Sequence, residues 1–237
     1  MNTSFIQSSK LLEHPSLRIS TGCGVLDGLL GRIEAGRTYL FYGDEEVLRK
    51  LLYGLAVNSL IELEKPVLVL TMKDYHAGLI FDTYDLGYTA VQYFLDPEYA
   101  LKNVYVATVF NRRQVANIKE IVKFVRKKDI KVILVWATTD LFEYEDYTIM
   151  IKFLGSLKQA LETDVALVFF SRESKLSKTF PPKPDGPVFF KHFANVIVYF
   201  RLSMRNKRLV KIYLVKHPYR RLKEVTAYLD YHGLVDL

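Results

Sequence analysis

The stretch Arg37-Thr-Tyr-Leu-Phe-Tyr-Gly-Asp-Glu-Glu-Val-Leu-Arg-Lys50 reads as a buried strand, Arg37 to Tyr42, passing through Gly43 into a helix over about Val47 to Glu64. Three consecutive carboxylates, Asp44, Glu45 and Glu46, stand where that helix begins. Negative charge there suits the helix dipole, by ~0.3–1 kcal/mol for each exposed group. Outward from this unit the same order of short apolar strand, turn and amphipathic helix recurs. Lys65-Pro66 breaks the chain before a β-branched strand, Val67 to Thr71. A helix is expected from about Ala77 to Leu86, ending at Gly87, and a strand over Val104 to Thr108. From Gln114 to Lys127 the apolar residues Val115, Ile118, Ile121, Val122 and Val125 fall at helical spacing. A strand over Lys131–Trp136, a helix over Ile149–Leu161 and a strand over Val165–Phe170 follow. After a Pro- and Lys-rich loop from Ser171 to Pro187, strands Asn195–Leu202 and Leu209–Val215 form a hairpin through Met204–Arg208. Glu224 to Asp230 is the last strand, before a turn at Gly233. This pattern predicts an α/β protein with a mostly parallel central sheet, helices on both faces and antiparallel C-terminal strands.

Composition narrows the class. With 237 residues, half of them hydrophobic and a quarter charged, the chain suits one α/β domain with a large core. No run of about 18 apolar residues is present, so no membrane span is expected. The opening Met-Asn-Thr-Ser-Phe-Ile-Gln lacks the basic and apolar parts of a signal peptide, and a cytoplasmic location is the expectation. Cys23 is the only cysteine, which excludes an internal disulfide. His14, His76, His192, His217 and His232 are scattered without metal-ligand spacing, so no metal site is expected. The net charge of +7 is unevenly placed. Arg172 to Glu224 holds 14 Lys or Arg against 3 Asp or Glu, and the remainder of the chain sums to −4. Such asymmetry fits a face that docks a polyanion or an acidic protein; a solvated, solubilising surface is the plainer alternative.

Upstream of the opening unit stands Arg18-Ile-Ser-Thr-Gly-Cys-Gly-Val-Leu-Asp27, and further on Leu95-Asp-Pro-Glu-Tyr-Ala-Leu-Lys-Asn-Val-Tyr-Val-Ala-Thr-Val-Phe-Asn111. Both resemble the ATPase core of archaeal RadA recombinases and their RecA-fold relatives. That family carries an Ile-Ser-Thr-Gly and Leu-Asp pair and a closely similar Leu-Asp-Pro, Asn-Ile-Tyr-Val-Ala, Phe-Asn series. Gly186-Pro187, the hairpin, His217-Pro218 and the segment around Gly233 follow the family's order. The likeness covers about residue 18 to the C-terminus. It implies a RecA-like three-layer αβα sandwich at 18–237 behind an arm at 1–17, at the size of short archaeal paralogues of the RadB or KaiC type.

In that family the loop after the first long strand has the form G-x-x-x-x-G-K-[ST]. Its backbone N–H groups wrap the phosphates, its lysine meets the terminal phosphates, and its hydroxyl helps to hold magnesium. Aligned from Gly43, Leu48 stands at the second glycine, Arg49 at the lysine and Lys50 at the hydroxyl residue. The resemblance further places Trp136 at the metal-binding aspartate, Lys73 at the water-activating glutamate and Arg172 at a sensor glutamine. The expectation is a vestigial nucleotide site with no cofactor and no ATP hydrolysis. Lys73 and Arg172 are either surface cations or partners of Asp44–Glu46 that plug the old pocket.

The loop from Ser171 to Lys191 corresponds to a DNA-facing loop of the recombinases. Its Arg172, Lys175, Lys178, Lys183 and Lys191, with Phe180 among them, combine phosphate-neutralising cations with a ring that can stack on a base. Single-stranded DNA is the ligand so implied. The counterpart loop, Phe142 to Tyr147, is short and acidic, with Tyr144 and Tyr147 as stacking candidates. Phe5 and Ser8 occupy the place of a Phe-x-x-Ala segment that docks on a neighbouring recombinase subunit. The expected role is a catalytically inactive accessory in DNA recombination and repair, binding DNA, a RadA-like recombinase, or both. A KaiC-like protein-interaction adaptor and an ATP sensor with a rebuilt pocket are the alternatives.

Overall fold

The structure is a computed structural model that describes residues 17–72, 81–111, 114, 118–142, 144–161, 164–231 and 233–237. Phe5, Ser8, Lys73 and residues 77–80 lie outside the described residues. β3 (Thr38–Gly43) leads into α2 (Glu45–Leu63) and then β4 (Val67–Met72). α3 (Thr83–Gln92) and α4 (Pro97–Asn103) precede β5 (Val104–Val109). α5 (Ile118–Lys127), β6 (Val132–Trp136), α6 (Tyr147–Leu161) and β7 (Ala166–Ser171) follow. After α7 (Val188–Phe193) come β8 (Val196–Leu202), β9 (Leu209–Lys216), β10 (Glu224–Asp230) and β11 (Gly233–Val235).

One nine-stranded sheet has the order β11-β10-β9-β8-β3-β7-β6-β4-β5. From β8 to β5 every neighbour is parallel; from β8 through β11 every neighbour is antiparallel. Alternate side chains separate two cores. Tyr39 and Phe41 of β3 face Leu51, Leu55, Leu86 and Ala100 from α2, α3 and α4. Leu40 and Tyr42 face Val125, Leu154, Leu157 and Phe190 from α5, α6 and α7. The protein is therefore an α/β three-layer sandwich with a mostly parallel sheet and antiparallel C-terminal strands.

Several boundaries differ from the sequence reading. α3 runs through Gly87 instead of stopping there. Asp82 caps it, accepting the Tyr84 N–H at 2.8 Å, and a Cβ on Gly87 would meet Pro97 at 3.8 Å. The glycine thus lies inside the helix, at ordinary contact distance from α4, and does not stop it. α4 is an additional helix, started by Asp96, which accepts the Glu98 N–H at 3.0 Å, and by Pro97 in its first turn, a common helix start. α1 (Gly24–Leu30), between the short antiparallel strands β1 (Arg18–Ile19) and β2 (Ile33–Glu34), is likewise additional. Its entry turn is knotted by Asp27, which accepts the Ser20 hydroxyl at 2.5 Å and both the N–H and hydroxyl of Thr21 at 2.8 Å. The Ser-Thr and Asp that carried the resemblance are used here to hold a turn.

Candidate functional site

In an open α/β sheet, ligands sit at the carboxyl ends of strands where neighbouring strands send their chains to opposite faces. β3 and β7 meet that condition. β3 runs into α2 on one face, whereas the chain from β7 leads to α7 on the other. The carboxyl ends gather Gly43–Glu46 from β3, Ser171–Pro187 from β7, the Trp136–Asp140 turn from β6 and the β8–β9 hairpin.

Gly43 has φ +128°, and a Cβ there would collide with the Phe200 carbonyl oxygen. The Asp44 N–H bonds that same oxygen at 3.0 Å. The approach of β3 to β8 is therefore enough to require this glycine. Asp44 is the N-cap of α2, and its carboxylate accepts the N–H groups of Glu46 (3.1 Å) and Val47 (3.4 Å). A helix start leaves four backbone N–H groups without intrahelical partners. Three of them, those of Asp44, Glu46 and Val47, are satisfied inside this chain.

The side chains at the other motif positions also have internal roles. Leu48 is 2% exposed and packs in the core between α2 and the sheet. Arg49 pairs with Glu45 at 3.0 Å, one helical turn away. Lys50 donates to the Tyr231 carbonyl at 3.1 Å and so fastens α2 to the turn between β10 and β11. Trp136 ends β6 half-buried, its ring 5.8 Å from that of Phe170. Arg172 does not pair with Asp44–Glu46. It meets Asp140 at 2.7 Å, tying the loop after β7 to the turn after β6.

The Pro- and Lys-rich loop is folded back on the sheet. Glu173 and Pro184 form an antiparallel bridge, and the Ser174 and Asp185 N–H groups bond Lys183 and Arg172 carbonyls, each at 2.8 Å. Tyr42 donates its hydroxyl to the Pro182 carbonyl at 2.8 Å, and Tyr199 donates to the Glu173 carboxylate at 2.7 Å. Burial is the main cause raising both phenols above their ordinary range, so they remain hydroxyl donors. Phe180 stands edge-on to Tyr213 at 5.1 Å with Arg201 over its ring, yet stays 58% exposed. Lys175, Lys178 and Lys183 project from this anchored loop, exposed and without a carboxylate partner among the described residues. Lys191 sits apart on α7, half-buried, its ammonium pKa lowered by burial first and by Lys183 second.

The basic window divides in space. Because β8 is parallel to β3 and β7, the hairpin after it puts Arg205, Lys207 and Arg208 at the same sheet end as Lys175, Lys178 and Lys183. β8 and β7 lie two strand spacings apart, roughly 10 Å. The sequence counts these three hairpin cations within the basic window, but only the parallel pairing of β8 fixes the sheet end they occupy. Arg220 lies at the opposite end, where it bonds the Gly28 and Leu29 carbonyls and closes the C-terminus of α1. Lys216 holds the Ala194 carbonyl at 2.6 Å, at the end of α7. In the second candidate loop, Phe142 and Asp146 are buried, Tyr147 is half-buried against the core beneath α6 and Glu145 is exposed; residue 143 and the Tyr144 side chain lie outside what the structure describes.

Among the described residues no group of His, Cys, Asp and Glu could hold a metal ion, and no helix is long and apolar enough to cross a membrane. Cys23 is buried and its thiol pKa is pushed up to about 12, chiefly by burial. No protein-family model matches the chain, and no curated protein matches it in sequence.

Proposed function

We propose that this chain is a RecA-fold recombinase paralogue without ATP turnover that acts as an accessory in DNA recombination and repair. The observation that carries the reading is the Asp44 carboxylate, seated on the N–H groups of Glu46 and Val47 where a phosphate would bind. Glu45 and Glu46 add like charge against a triphosphate, and Leu48 puts a core side chain where the motif has glycine. The DNA half of the reading is supported by Lys175, Lys178, Lys183, Arg205, Lys207 and Arg208 at one sheet end, with Phe180 exposed beside them. Backbone phosphates neutralised by such cations make binding fall steeply with salt.

Two measurements test it. Mg-ATP at millimolar concentration is expected to leave the melting temperature unchanged, since a ligand that binds only the folded state would raise it. Single-stranded DNA is expected to bind at low salt and to dissociate as salt rises. Steady phosphate release by pure protein would sink the inactive-ATPase half; undetectable DNA binding at low salt would sink the other.

A further inference from the structure

Several large apolar side chains are exposed together on the outer face of α3. Tyr84, Tyr88 and Val91, spaced four and three residues apart, form a stripe exposed by 88%, 56% and 59%. Phe94 continues it with its ring wholly in solvent. The backbone makes Phe94 the more telling residue. α3 ends with the Phe94 N–H on the Val91 carbonyl (3.1 Å) and the Leu95 N–H on the Ala90 carbonyl (2.9 Å), the paired bonds of a Schellman cap. The residue between them must be left-handed, and Phe94 has φ +57°. Glycine is the residue that such a position favours. A phenylalanine there is strained and gains no burial in return within this chain.

Carboxylates border the stripe on both sides. Asp96, the cap of α4, and Glu98, paired with Lys102 at 2.8 Å, lie at the start of α4, whose Pro97 packs beside Gly87 of α3. On the other side a cleft of about 350 Å³ separates α3 from α2 and is lined by Glu46, Asp85, Tyr53 and Tyr88. Of its two cations, Arg49 pairs with Glu45 and Lys50 keeps its charge while bonding the Tyr231 carbonyl, so with Glu45, Glu46 and Asp85 the cleft carries a net negative charge. The Glu46 and Asp85 carboxylates have no cation within bonding reach among the described residues. Two aromatic rings and two carboxylates around a cleft of this size suit a guanidinium or ammonium group.

We infer that the α3 face receives a basic amphipathic helix of another protein. Its apolar side chains would cover Tyr84, Tyr88, Val91 and Phe94, and a Lys or Arg beside them would enter the cleft against Glu46 and Asp85. The inference does not depend on the recombination reading. The probe is a fluorescent synthetic peptide of Leu and Lys at helical spacing, titrated by anisotropy into the full chain. A Leu/Glu peptide of the same pattern is the control. The wild-type chain binds the Leu/Lys peptide, more weakly as salt rises, and leaves the Leu/Glu peptide unbound. Phe94→Gly weakens binding about tenfold, as loss of an interface anchor does, while leaving the melting temperature unchanged or higher. The paired change Glu46→Gln and Asp85→Asn weakens binding chiefly at low salt. Equal affinity for the two peptides, no binding of the Leu/Lys peptide at low salt, or unchanged affinity in Phe94→Gly would overturn the proposal. Sedimentation showing self-association that Phe94→Gly abolishes would also overturn it, by giving the face to a second copy of the chain.

Discussion

The turn that leaves β3 and the loop that leaves β7 rise from adjacent parallel strands, yet their polar groups point in opposite directions. In Gly43–Glu46 the backbone donors turn inward, onto the Phe200 carbonyl and the Asp44 carboxylate. In Ser171–Pro187 the backbone and two tyrosine hydroxyls fix the loop, and Lys175, Lys178 and Lys183 are left facing water. An N–H group already bonded to a carboxylate offers an external anion little. An ammonium group on an anchored loop offers charge without a large ordering cost. One end of the sheet thus carries backbone donors closed on their own chain beside ammonium groups left facing water.

Substitutions can break or sharpen that contrast. Gly43→Val is expected to cost the most, about 3 kcal/mol or more, because it joins a glycine-only conformation to a collision with the Phe200 carbonyl. A urea midpoint within experimental error of wild type would remove the claim that sheet geometry alone demands this glycine. Asp44→Ala should cost about 1 kcal/mol through loss of the cap. The more informative readout is nucleotide: Leu48 and the two neighbouring carboxylates remain, so Mg-ATP should still give no thermal stabilisation. If Asp44→Ala begins to bind ATP, that one carboxylate was the whole barrier.

The triple change Lys175→Ala, Lys178→Ala and Lys183→Ala should move stability by less than about 0.5 kcal/mol, as exposed surface sites do. The same protein should show a salt dependence of single-strand binding shallower by about 2 in log–log slope. An unchanged slope would relocate the DNA contact to Arg205, Lys207 and Arg208. The smallest effect concerns His217, whose Nε2 lies 3.1 Å from the Leu30 carbonyl. Burial, the largest cause, lowers its pKa, and the Leu30 carbonyl opposes it. The unfolded chain then binds the proton more readily, so stability should be steady above the ordinary pKa of about 6.5 and decline as pH falls through it. His217→Asn should flatten that acid limb; an identical limb would assign it to other groups.

Much of the sheet was legible because buried parallel strands such as Val67–Thr71 and the Val132–Val135 run show as short apolar stretches between breakers. α1, α4 and α7 were not legible: at six or seven residues they are too short for a periodicity to stand out. Nor was the place of Gly87 legible, because a glycine inside a helix looks the same in sequence as one that ends it. Of the candidate residues, Asp44 could be placed at a helix start from sequence, but its hydrogen bonds could not. Arg172 found Asp140 instead of the acidic turn, a pairing of residues 32 positions apart with no local signature.

The amino-acid sequence by itself determined the alternation of strand and helix, the acidic start of α2 and the excess of cations after Arg172. Each of these depends on neighbouring residues and on side-chain type alone. Tertiary structure decided the rest: that Asp44 closes on its own helix, that the basic window divides between two ends of the sheet, and that Phe94 stands in solvent at a position suited to glycine. Those outcomes depend on which distant strand or helix lies alongside, and strand pairing brings together groups whose separation along the chain carries no record of it.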